Sequence, residues 1–120
     1  MSMHREVLLH AGVDYEGGLR RFAGKEELYE KYLSRFLEDT HVEAAETALK
    51  QNDFQKILEE MHTLKGESGT LGLDRLFSGC NAMLTFLRSG TYEKEQVAEK
   101  LKDIRSEFDL IVEKIRQALL

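Results

Sequence analysis

Apolar residues recur at steps of three and four along most of this chain, the spacing that lines one side of a helix. From Lys25 to about Glu38 the positions are Leu28, Tyr29, Tyr32, Leu33, Phe36 and Leu37. The pattern returns in Phe54, Ile57, Met61, Leu64 and Leu71, and again in Leu73, Leu76, Phe77, Cys80, Met83, Leu84 and Leu87. It is longest in Val97, Leu101, Ile104, Phe108, Ile111, Ile115 and Leu119, which alternate steps of four and three. Turn and cap residues punctuate these runs. Asp14 is placed to cap a short helix to about Phe22, crossing Gly17 and Gly18 and stopped by Gly24. Thr40 and Glu43 fit a capping box for a helix over 41–51, which buries Val42, Ala45, Ala48 and Leu49. Asn52 and Asp53 restart the chain, and Gly72 and Gly90 close the next two helices. No stretch shows the period of two that marks a strand.

The expected fold is therefore all-α: an antiparallel up-and-down four-helix bundle with a short N-terminal helix. Its segments are 25–38 with 41–51, then 53–71, 73–89 and 93–119. Five segments must share four layers, so 41–51 either continues the line of its predecessor or caps the bundle. Tyr29, Tyr32 and Phe36 read as bundle core, and Tyr15 and Tyr92 as packing near the caps.

Composition narrows the function. A chain of 120 residues with 42% hydrophobic and 32% charged residues is one globular domain, 1–120, with no proline to interrupt its helices. A net charge of −5, with basic residues scattered among acids, argues against nucleic acid or an anionic membrane as partner. One cysteine, Cys80, allows no internal disulfide and falls on an apolar face, as a small core residue does. No apolar run is long enough to span a bilayer, and Val7, Leu8 and Leu9 are too few for the core of a signal peptide starting at Met1. The expectation is a cytoplasmic, monomeric domain, too short to hold a nucleotide-binding kinase as well, so any phosphate chemistry draws on a partner.

One segment does not read as scaffold. On a helical wheel of about 100° per residue, the apolar residues of 53–71 occupy one side, and His62 lies on the border between that stripe and solvent. Gln55 and Leu58 precede it on the same strip; Lys65, Gly66 and Gly69 follow. Two glycines inside a helix cost roughly 1 kcal/mol each relative to alanine, which calls for a compensating use. Because helical side chains lean toward the N-terminus, small residues at 66 and 69 leave the imidazole standing clear for an approaching surface. An accessible imidazole is a competent nucleophile near neutral pH, and an ammonium three residues on is within reach of a group attached to it. These features describe a phosphoryl-accepting histidine; the plainer reading is a surface histidine beside glycines that permit close helix packing.

The run His62-Thr63-Leu64-Lys65-Gly66-Glu67-Ser68-Gly69-Thr70-Leu71-Gly72 resembles the signature of histidine-containing phosphotransfer (HPt) domains: His-x-hydrophobic-Lys-Gly, then Gly six residues on. Met61 before it and Leu73, Leu76 and Cys80 after it are similar to the family pattern, as is the lead-in Gly18 to Gly24 with Glu27-Leu28-Tyr29. The resemblance spans nearly the whole chain. It implies a phosphorelay module of two-component signalling in which His62 takes a phosphoryl group from a receiver-domain aspartate and passes it to another receiver. Lys65 would stabilise the phosphoryl group and Gly66 would give the receiver clearance. Kinase activity would be absent, and no cofactor would be needed, the divalent metal coming with the receiver. Partners would be response-regulator receiver domains and a histidine or hybrid kinase. The chain departs from the pattern at Leu84, where many members carry a Gln or Glu that bonds the imidazole; Asn81 or Thr85 is placed to substitute.

The remaining candidates are weaker. His4, His10 and His41 show no i, i+4 pairing with one another or with His62, so no metal site is expected. Glu59, Glu60 and Glu67 read as a solvated face, with Glu59 alone close enough in register to touch His62. Leu58, with Gln55, is the expected docking contact, alongside Gly66 and Gly69. Two other functions stay open: a receiver-binding module that carries no phosphate, favoured by Leu84, and the phosphoacceptor domain of a larger histidine kinase.

Overall fold

Helices begin where side chains satisfy the free N–H groups of the first turn, and end where glycine or a break in the apolar period stops them. The computed structural model describes residues 3–120; Met1 and Ser2, where the reading of the N-terminus begins, lie outside them. Seven helices form among the described residues: α1 (Arg5–His10), α2 (Tyr15–Arg21), α3 (Glu26–Phe36), α4 (His41–Lys50), α5 (Phe54–Leu71), α6 (Asp74–Arg88) and α7 (Lys94–Leu119). The all-α expectation holds, with two short N-terminal helices rather than one. α1 docks on the far end of α7, where the His4 N–H donates to the Ala118 carbonyl at 2.7 Å.

Asp14 caps α2 and Asp53 caps α5, each accepting from a backbone N–H three residues on. The capping box expected at Thr40 does not form: its side chain makes no cap bond, and Asp39 Oδ1 instead accepts from the His41 N–H at 3.0 Å. A capping box does form at Glu93 and Gln96, at the start of α7.

Cross-helix contacts settle how five segments fill four layers. Tyr29 donates its hydroxyl to the Leu71 carbonyl, and His41 pairs with Glu60, so α3 and α4 run in succession against the direction of α5. Phe36 packs against Phe108 and Arg105 grips Glu46, which sets the same two helices antiparallel to α7. α4 therefore continues the line of α3. α6 closes the bundle, with Gly79 near Ile104 and Phe86 beneath Lys100 of α7.

The core is one cluster drawn from every helix, with Ile57, Met61, Leu64 and Leu71 of α5 at its centre. Ser68 is fully buried among them, its hydroxyl turned onto the Leu64 carbonyl at 2.8 Å. Tyr29 and Phe36 are buried as the core reading expects, and Tyr15 is buried with them, but Tyr32 is 39% exposed: it stacks on Phe22 at the surface and does not enter the core.

The turn from α5 to α6 is the most constrained in the chain. Gly72 adopts φ +78°, with the Leu73 N–H donating to the Ser68 carbonyl at 2.8 Å and the Gly72 N–H to Gly69 at 3.3 Å. The Asp14 N–H donates to the Gly72 carbonyl at 2.8 Å, and a Cβ at residue 72 would stand 2.4 Å from the Asp14 oxygen. Glycine is required here for both its backbone region and its bareness.

Candidate functional site

α5 presents His62 one residue beyond buried Met61, so the imidazole leaves the core stripe and is exposed. No hydrogen bond or ion pair to its ring forms among the described residues. A Cβ built on Gly66, one turn on, would meet nothing within 4 Å. The exposed threonines of the same helix turn back on their own backbone, Thr63 to the Glu59 carbonyl and Thr70 to the Gly66 carbonyl. The imidazole is left projecting and unengaged on open ground.

Gly69 differs from Gly66. A Cβ there would lie 3.1 Å from two ring carbons of Phe77 on α6, so its missing side chain makes room for the protein's own packing. The same Phe77 ring carries the Lys65 ammonium 5.6 Å from its centroid. Phe77, which in sequence is one more apolar position, therefore supports the lysine beside the histidine. Gln55 is exposed and Leu58 half-buried, packed against the core on the strip leading to His62.

Leu84 is fully buried, so the residue at this departure from the family pattern belongs to the core. Asn81 and Thr85 are exposed, and neither bonds the imidazole. Glu59 contributes only its carbonyl, to Thr63.

On the other side of Gly66 lies a groove of about 680 Å³ between α2, α3 and α5, lined by Phe22, Tyr32, Phe36, Leu71, Thr63 and Thr70 among others. Sequence reasoning missed it, because Tyr32 and Phe36 read as core on their helix.

Glu60 and Glu67 are not the solvated face their charge suggested. His41, from the start of α4, lies between them, with Nδ1 2.6 Å from Glu60 and Nε2 3.4 Å from Glu67. Burial alone would lower the pKa of His41, but the bond to Glu60 and the charges of Asp39 and Glu67 outweigh it and raise it. The bond from His41 holds the Glu60 carboxyl below its ordinary range. Glu67 is pushed up to about 7, first by burial and then by the adjacent Asp39 carboxylate. Burial pushes the Cys80 thiol up to about 12, as befits a core residue without reactivity.

The fold and the site together define a helical bundle that displays an exposed, unbonded histidine beside a cation, a bare strip and an apolar groove. Residues 31–118 match the family model described as Hpt domain, and this chain belongs to that family. It is similar to the sensor protein GacS of Pseudomonas syringae pv. syringae, 31% identical over an alignment of 98 residues that covers 78% of this chain and 11% of that protein. The chain thus spans only a small part of that relative. Its fold is that of the HPT domain from a Shewanella Hpt sensor hybrid histidine kinase, with a TM-score of 0.78 over 91% of this chain and 94% of that one, at 23% identity. Membership places the chain among the phosphocarrier modules of histidine phosphotransfer in two-component signalling. No described helix is long and apolar enough to cross a membrane.

Proposed function

We propose that this domain is a phosphorelay intermediate in which His62 is the phosphoacceptor. The observation that carries the reading is His62 itself: exposed, unbonded, and next to the open space over Gly66 in a chain of the Hpt family. A ring nitrogen of His62 attacks the phosphorus of a receiver's aspartyl phosphate. The N–P bond forms as the acyl O–P bond breaks, and the aspartate leaves as a carboxylate. The reverse exchange onto a second receiver completes the relay. Lys65 swings from Phe77 toward the transferred group and offsets its charge. The receiver lies over Gly66, with Gln55 and Leu58 on one flank of His62 and the groove of Phe22, Tyr32 and Phe36 on the other.

In this reading the domain works in the cytoplasm as a monomer, has no kinase activity of its own, and takes the divalent metal for the exchange from its partner. Its partners are receiver domains and the histidine or hybrid kinase that feeds them. The test is a three-component relay: a receiver charged by a small phosphodonor, this protein, and a second receiver that the first does not phosphorylate. Label reaching the second receiver only when this protein is present supports the relay, and label stalled on the first receiver overturns it.

A second reading is that of the phosphoacceptor module of a larger sensor kinase. It is favoured by the match to a segment making up 11% of a sensor protein. Uptake of phosphate from a kinase and ATP in the absence of any receiver would select it.

A further inference from the structure

Asp39 and His41 flank the break between α3 and α4, and the two helices deliver them to the side of α5 that carries Glu67. One ligand atom from each of the three lies within 4.8 Å of the others. The i, i+4 spacing that a metal site on one helix would need is absent, so the group is invisible until the bundle assembles.

Its geometry is that of a binding site more than of an ion-pair cluster. His41 Nδ1 lies 2.6 Å from Glu60 Oε1, so Nδ1–H donates to that carboxylate and, in the neutral ring, Nε2 keeps its lone pair. That carboxylate-to-histidine relay is the arrangement that fixes the tautomer and orientation of a metal-binding imidazole. Nε2 then stands 3.4 Å from Glu67 Oε2. Two donors on a tetrahedral zinc, at its usual bond lengths, are separated by about 3.4 Å, so this pair is already in place. The second oxygen of Glu67, Oε1, is buried and has no hydrogen-bond partner, and its carboxylate lies against that of Asp39. Among the described residues no lysine or arginine forms an ion pair with Asp39 or Glu67; the nearby Lys56 is engaged with Glu60. Two adjoining carboxylates, an orphaned buried oxygen and a pre-set imidazole lack a common positive partner.

We propose that Asp39, His41 and Glu67 bind a divalent cation of the zinc class, with Glu60 as the group that orients His41. One imidazole with two carboxylates suits zinc and its neighbours better than magnesium or calcium, which take oxygen donors. Three protein ligands leave a fourth position, and since Asp39 and Glu67 both line the groove beside Gly66, that position faces it. The site stands apart from the phosphotransfer reading, since none of its ligands is His62 or Lys65.

The test is a calorimetric titration of the metal-stripped full chain with zinc chloride near pH 7.5, with magnesium chloride in parallel. The expected result is one equivalent of zinc bound at micromolar concentration and no saturable magnesium binding. His41→Gln and Glu67→Gln each lower zinc affinity at least tenfold, Glu60→Gln lowers it about 10- to 100-fold, and His62→Gln and His10→Gln leave it unchanged. Circular dichroism confirms that each variant is folded, and Asp39→Asn serves where one is not. Absence of stoichiometric zinc binding overturns the proposal. So do equal binding of magnesium, survival of the affinity in His41→Gln, and its loss in His62→Gln.

Discussion

Replacing Gly66 by alanine should make this protein more stable and a poorer phosphotransfer module. Residue 66 is in the interior of α5, in ordinary helical backbone, and a Cβ there meets nothing within 4 Å. The substitution therefore incurs no steric penalty and gains the helix-propensity difference between glycine and alanine, about 0.5–1 kcal/mol, part of it from the unfolded chain. For a domain of this size that is a rise in Tm of about 2–5 °C. Gly69→Ala has the same propensity gain, but its methyl group stands 3.1 Å from the Phe77 ring, which must shift to admit it. Its gain should be smaller or reversed. Urea unfolding followed by far-UV circular dichroism separates the two. In the transfer assay Gly66→Ala should slow exchange with a charged receiver, and Gly66→Gln should slow it further. The reasoning is refuted if Gly66→Ala is destabilised, if the two alanine variants are equally stabilised, or if Gly66→Gln exchanges phosphate at the wild-type rate.

Gly72→Ala combines a left-handed backbone with a contact 2.4 Å from the Asp14 oxygen, and should cost about 2–4 kcal/mol; a loss below about 1 kcal/mol in urea unfolding would contradict the turn described above. Lys65→Ala should slow phosphoryl exchange about tenfold, the rate change for about 1.4 kcal/mol of lost charge attraction, and leave unfolding unchanged, with Lys65→Arg retaining part of the rate; full activity in the alanine variant would remove Lys65 from the mechanism. In metal-free protein, stability should fall as pH rises from about 5 to 8. Glu67, raised to about 7 from an ordinary 4.5, holds in the folded state a proton that the unfolded chain has released, and His41, raised from 6.5, loses its contribution as pH climbs through its folded value. Both side chains are partly exposed, so solvent screening limits the total to about 1 kcal/mol; Glu67→Gln should flatten the slope, and a wild-type profile that rises over this range would contradict the assignment.

The helices and the exposed strip around His62 were legible because both are local. Leu28 to Leu37 and Val97 to Leu119 carry their period in the sequence, and His62 with Lys65 and Gly66 share one strip of a single helix. What could not be read depends on residues meeting across helices. Gly69 and Gly66 are equivalent on a wheel, and only the arrival of Phe77 from α6 separates them. Tyr32 has the spacing of a core residue, yet α3 lies at the edge of the bundle and its last apolar row finds Phe22 instead of the core. Thr40 and Glu43 have the spacing of a capping box, but Asp39 is nearer to the free N–H and takes it. Glu60 and Glu67 look like solvated acids until α4 places His41 between them. Leu84 keeps the apolar spacing of its helix and is buried as that spacing requires, so the ring-bonding role of the family's Gln or Glu has no counterpart at this position.

The most direct measurement maps the phosphate. Incubated with a charged cognate receiver, the wild-type protein should acquire an acid-labile, base-stable phosphate carried on the peptide containing residue 62, and His62→Gln should acquire none while still binding the receiver. His62→Ala should also unfold within about 0.5 kcal/mol of wild type, as an exposed, unbonded side chain requires. Phosphate on His62→Gln, or on a peptide holding His4, His10 or His41, would contradict the account.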